Sequence, residues 1–128
     1  MNREELNQIG GEILDAAFQV HKLMGPGLLE SVYQACLAEE FNSRRIQYQE
    51  EVMLPLFYKG KKLQKFFKID FLIENQIIIE LKAIEIILPV HEAQLISNLK
   101  LSNKKLGYLI NFNTPLLKDG FKRFVNNF

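Results

Sequence analysis

Apolar side chains at Ile9, Ile13, Ala16, Ala17, Val20 and Leu23 recur at three- and four-residue steps, the spacing that lays a single stripe along a helix. The stripe predicts a helix from about Glu4 to Met24, stopped by Gly25, Pro26 and Gly27. A second stripe of Leu28, Leu29, Val32, Tyr33, Cys36, Leu37 and Phe41 predicts another helix, beginning just after the Gly-Pro-Gly turn and running to about Ser43. The two helices form a hairpin. From Tyr48 the pattern changes to β-branched and aromatic residues, which predicts strands over Gln49 to Tyr58, Lys62 to Ile73 and Ile77 to Ala83, with Lys59, Gly60 and Lys61 turning the chain between the first two. Pro89 breaks the apolar run. Val90, Ala93, Leu95, Ile96, Leu99 and Leu101 then describe a third helix ending near Asn103, and Gly107 to Phe112 reads as another buried strand. The basic, aromatic tail from Gly120 to Phe128 closes the sheet as a strand or caps it as a helix, and periodicity does not choose between them. The order is ααβββαβ followed by a short C-terminal element, a layered α/β or α+β arrangement.

A chain of 128 residues, 48% hydrophobic and 24% charged, has the size of one folding unit and enough apolar surface to exclude global disorder. No internal repeat or low-complexity segment divides it. The stretch Met1 to Phe18 is charged from its third residue and has no apolar signal core, so the expected address is cytoplasmic rather than secreted or membrane-anchored. Glu80, Lys82 and Glu85 interrupt the longest apolar stretch, Ile77 to Val90, which argues against a membrane-spanning helix. A single cysteine, Cys36, forbids an intrachain disulfide and sits on the second stripe as a small core residue. The net charge of +1 hides an asymmetry: residues 1–58 carry four basic and nine acidic side chains, net −5, and residues 59–128 carry twelve and six, net +6. The second half is the one suited to a polyanion, although a solvated lysine face has the same composition.

The informative segment is Lys68 to Ile87, which sets Asp70, Glu80 and Lys82 among Ile, Leu and Phe. Ionisable groups there need partners. Alternation puts Glu80 and Lys82 on one face of their strand. A two-residue turn would send Asp70 to the opposite face, whereas a three-residue loop of Glu74, Asn75 and Gln76 sets Ile73 opposite Ile77 and brings Asp70 across from Glu80. Asn75 suits that loop because Asn tolerates the left-handed conformation. Two carboxylates so placed resist joint ionisation unless a cation lies between them, and an all-oxygen donor set suits Mg²⁺ or Mn²⁺ better than zinc. Lys82 can orient or deprotonate the attacking water, or stabilise charge on a phosphate. An ordinary cross-strand salt bridge uses the same three residues.

The sequence resembles the GxxExxY proteins, a branch of the PD-(D/E)XK nuclease-like superfamily, over nearly its whole length. Gly27-Leu-Leu-Glu30-Ser-Val-Tyr33 matches the naming motif, preceded by the family-like Val20 to Pro26. Asp70 and Glu80-Leu81-Lys82 match the superfamily core, followed by His91-Glu92-Ala93-Gln94, and Gly107 to Phe112 and Asp119 to Arg123 resemble the closing segments. The resemblance implies a three-layer restriction-endonuclease-like fold, a central mixed β-sheet flanked by helices, in which Asp70 and Glu80 bind a divalent metal (Mg²⁺ or Mn²⁺), Glu30 from the N-terminal helical region joins them, and Lys82 assists the water. Gln94 corresponds to the glutamine of a QxxxY motif whose tyrosine is here Asn98. Residue by residue, Glu30 is also placed to favour the dipole of the second helix, and Tyr33 either holds Glu30 or is simply a core aromatic.

His21 and His91 come from different helices, so a zinc site with Cys36 is not expected. Phe66, Phe67, Phe121, Phe124 and Phe128 suit core packing first, and base stacking second. The leading expectation is a Mg²⁺-dependent nuclease acting on DNA, with Glu30, Asp70 and Glu80 as the acidic cluster, Lys82 as the catalytic cation and Gln94 in support. The alternatives are a non-catalytic nucleic-acid-binding or protein-interaction module on the same fold, and a small domain that docks on copies of itself as a homo-oligomer.

Overall fold

The computed structural model describes residues 1–128. Three helices, α1 (Arg3–Met24), α2 (Glu30–Ser43) and α3 (Pro89–Ser102), surround strands β1 (Tyr48–Tyr58), β2 (Lys61–Ile73), β3 (Ile77–Lys82), β4 (Leu106–Asn111) and β5 (Phe121–Val125), with one 3₁₀ turn at Leu117–Asp119. The five strands form one mixed sheet in chain order. β3 and β4 run parallel with α3 between them, and every other neighbouring pair is antiparallel. No helix is long and apolar enough to cross a membrane.

The continuous apolar run of β3 follows from burial on both sides of the sheet, the situation in which strict polar alternation disappears. Ile77, Ile79 and Leu81 face a 20-residue core with α1 and α2, and Ile78 faces a six-residue core with Leu95 and Leu99 of α3. The result is three layers, as the resemblance implied. An Asn2–Glu5 capping box starts α1, and Asn103 ends α3 in the left-handed conformation. Close packing of α1 on β4 requires Gly10, where a Cβ would collide with the Tyr108 hydroxyl.

The tail resolves as a strand, because β4 offers it a free edge: Leu106 pairs with Val125 and Ile110 with Phe121. All three apolar stripes are corrected, the first at Leu23, which is exposed. Leu28 and Leu29 precede α2 and are exposed, and Val90, Ile96 and Leu101 of α3 also face outward, leaving Leu95 and Leu99 as its buried contacts. Cys36 is half-buried against the larger core.

Candidate active site

The three-residue loop forms: Glu74 and Asn75 take positive φ angles of 52° and 57°, and Ile73 pairs with Ile77. The β2–β3 ladder continues through Leu72–Ile78 and ends at Phe71–Ile79. Beyond it the strands separate. Instead of another backbone bond, the Asp70 carboxylate accepts the Leu81 N–H at 2.7 Å. The side-chain alternation of β2 slips at the same point, since Ile69 packs in the smaller core and Phe71 in the larger, and Glu51 on β1 has a positive φ of 53°. The fork opens a gap between two strands that would otherwise be closed by paired backbone.

That gap belongs to a cavity of about 460 Å³ lined by Glu30, Lys68, Asp70, Glu80, Lys82, His91, Gln94 and Asn98, none of them hydrophobic. All five residues singled out for chemistry therefore meet there: Glu30 from the first turn of α2, Asp70 from β2, Glu80 and Lys82 from β3, and Gln94 from α3. His91, Gln94 and Asn98 follow one another at helical steps along the cavity wall. Asn98 stands where the related motif has tyrosine, and its amide approaches Glu80 Oε1 at 3.5 Å. His91 Nδ1 accepts the Leu88 N–H at 2.9 Å.

Of the two readings of Tyr33, the core aromatic is the one the structure shows. Its hydroxyl makes no hydrogen bond to Glu30. Its buried ring stacks on Phe112 with centroids 4.6 Å apart, while its hydroxyl donates to Gly25 O at 2.6 Å and accepts the Leu28 N–H at 3.1 Å. The tyrosine thus fastens the Gly-Pro-Gly turn that delivers Glu30, satisfying a carbonyl at the start of that turn and an N–H at its end.

The electrostatics are those of crowded carboxylates. Glu80 is pushed up to about 9, first by burial and then by Asp70, with Lys82 pulling the other way. Glu30, at the exposed mouth, is raised by partial desolvation first and by Asp70 second. Lys82 forms no ion pair with any of the three, so the ordinary cross-strand salt bridge is absent. Lys68, which the sequence reading passed over, reaches the cavity while paired with Glu51 at 2.7 Å. It lies two residues before Asp70, and strand alternation alone would have nominated it.

The donor set fits a hard divalent cation. The three carboxylates offer only oxygen, and burial together with Asp70 disfavours the charged form of Glu80 when no cation lies between them. No three His, Cys, Asp or Glu side chains are grouped closely enough to form a complete cage. Mg²⁺ commonly binds through one or two carboxylates and completes its shell with water and substrate oxygens.

Two further features were not anticipated. Buried Asn111 at the end of β4 clasps the β3–α3 connection, accepting the Ile84 N–H at 3.1 Å and donating to Ile84 O at 2.9 Å. His21 bonds Thr114 O at 2.8 Å, far from His91, and joins α1 to the loop after β4. A larger open groove of about 860 Å³ near Arg45, Tyr48 and Glu74 gathers no comparable set of convergent charges.

The family model described as the PD-(D/E)XK nuclease superfamily matches residues 7–124. No curated protein and no solved structure matches the chain.

Proposed function

The chain belongs to the PD-(D/E)XK nuclease superfamily, and from that membership we propose that it is a Mg²⁺- or Mn²⁺-dependent nuclease hydrolysing DNA phosphodiesters, of the GxxExxY branch. The observation that carries this reading is the meeting of Glu30, Asp70, Glu80, Lys82 and Gln94 around one wholly polar cavity.

Asp70 and Glu80 would hold the cation, with Glu30 at the mouth as a further oxygen donor. When bound there, such an ion would supply charge neutralisation at the phosphate and a more acidic water. Asp70 is oriented for this by the Leu81 N–H, which fixes one carboxylate oxygen. Lys82 places an ammonium on the same side of β3 as Glu80, where it orients the attacking water and offsets charge on the phosphoryl oxygens. Gln94 presents an amide to the nucleic-acid backbone from α3. A new P–O bond forms to the water oxygen as the bond to the leaving oxygen breaks, the attacking water giving up a proton to solvent and the leaving oxygen taking one from it. The basic second half of the chain supplies phosphate contacts beyond the cavity.

Purified protein incubated with Mg²⁺ or Mn²⁺ on single-stranded, duplex and branched DNA should cut at least one of them, and Lys82→Ala should lose the activity. Cutting that survives in Lys82→Ala identifies a contaminant. Binding that weakens with salt, without any cutting, makes the protein a binding module on this fold.

A further inference from the structure

β1 and β2 are longer than the sheet they belong to. β2 pairs with β3 only over Phe71–Ile73, so the β1–β2 hairpin continues past the fork as a two-stranded ribbon with its tip at Lys59–Gly60. From Val52 to Ile69 the ribbon carries five lysines and no acidic residue, and of the five only Lys68 is ion-paired, to Glu51 at the base of the ribbon at 2.7 Å. One face is closed: Leu54 and Phe67 pack beside the smaller core. The other face is open. There Met53 pairs with Lys68 and Pro55 with Phe66, and beyond an irregularity in which β2 bulges, Phe57 pairs with Lys62. Met53, Phe57 and Phe66 are 56%, 53% and 54% exposed, a large apolar expenditure for a ribbon with no partner in the fold. Lys68 belongs both to this face and to the cavity. Phe66 is four residues from Asp70, about 13 Å along an extended strand.

We propose that this open face holds an unpaired nucleic-acid strand as it leaves the cavity, with bases stacked on Phe66 and Phe57 and phosphates against Lys62 and Lys68. The inference rests on the nuclease reading and specifies its substrate. Aromatic rings interleaved with lysines suit a single strand, because every unpaired base offers a π-face while its backbone needs cations. A duplex hides those faces in its stack and would leave the rings without a partner. A second copy of the ribbon would set lysine against lysine.

The test is fluorescence anisotropy with a labelled oligo-dT strand and a hairpin duplex of equal nucleotide count, in EDTA, across a salt series. Phe57→Ala and Phe66→Ala should each weaken oligo-dT binding roughly tenfold, leaving duplex binding and the salt slope unchanged. Phe66→Leu, which keeps the apolar bulk, should lose as much as Phe66→Ala, and Phe66→Trp should restore binding. Lys62→Ala should flatten the log–log salt slope by about 0.7. Unchanged oligo-dT affinity in both alanine variants overturns the proposal, as does equal loss on strand and duplex. A wild-type dimer that the alanine variants dissolve also overturns it, by making a second copy the occupant. Cleavage separates this inference from the one beneath it. Wild-type cutting with unaltered binding in the variants defeats the ribbon alone, whereas ring-dependent binding with no cutting in Mg²⁺ or Mn²⁺ defeats the nuclease.

Discussion

Replacing Glu80 by glutamine should change how the metal-free protein responds to pH. A carboxyl raised from 4.5 to about 9 binds its proton more tightly in the folded chain than in the unfolded one. Its stabilising contribution is therefore complete below about pH 4.5 and is lost as pH climbs toward 9, where the folded state must bury a charge beside Asp70. The limiting slope is about 1.4 kcal/mol per pH unit. Between pH 6 and 9 the ceiling is about 4 kcal/mol, and water in an open cavity lowers this to roughly 2. In a domain of this size, wild type should lose about 8 °C of Tm over that interval in excess of Glu80→Gln. The assay is thermal unfolding followed by circular dichroism, in EDTA, with both proteins scanned at each pH so that every other titration cancels. Mg²⁺ at pH 8.5 should recover stability in wild type and very little in the variant, because the ion replaces the proton on the carboxylate pair. Coincident Tm profiles from pH 6 to 9, or a wild type that gains on the variant as pH rises, would refute the reasoning.

Three other substitutions probe the framework around the cavity. Tyr33→Phe keeps the stacking on Phe112 but leaves Gly25 O and the Leu28 N–H without their partner, so denaturant unfolding should show a loss of about 1 to 3 kcal/mol and cleavage should fall as Glu30 loosens. Asn111→Ala strands both backbone groups of Ile84 and should cost about 3 kcal/mol; a cost below 1 kcal/mol would show that water replaces the clasp. Gly10→Ala should destabilise by about 1 to 3 kcal/mol through its collision with the Tyr108 hydroxyl, and in a double-mutant cycle Tyr108→Phe should relieve a large part of that penalty.

The candidate site was more legible than its surroundings because its residues violate the local pattern. Asp70, Glu80 and Lys82 are charged positions inside apolar runs, and the left-handed tolerance of Asn75 was enough to set the β2–β3 register. Lys68 was hidden by composition: as one of five lysines in ten residues it looked like surface. Asn111 was hidden for the opposite reason, since an asparagine at a strand end reads as a turn residue unless the loop it binds is known. Leu28 and Leu29 misled because hydrophobicity alone cannot report that a tyrosine hydroxyl five residues later would hold the chain out of the helix. The tail was undecidable from its own residues, because the open edge of β4 makes it a strand.

The two cores are unequal, with 20 buried residues beneath α1 and α2 and only six around α3, two of them contributed by α3 itself. Cooperativity across the sheet is accordingly lopsided. The amides of α3 should therefore exchange with solvent faster than those of α1, α2 and β3 in a hydrogen-exchange experiment. Since α3 supplies His91, Gln94 and Asn98, one side of the polar chamber is hinged on a weak attachment and the acidic side on a strong one.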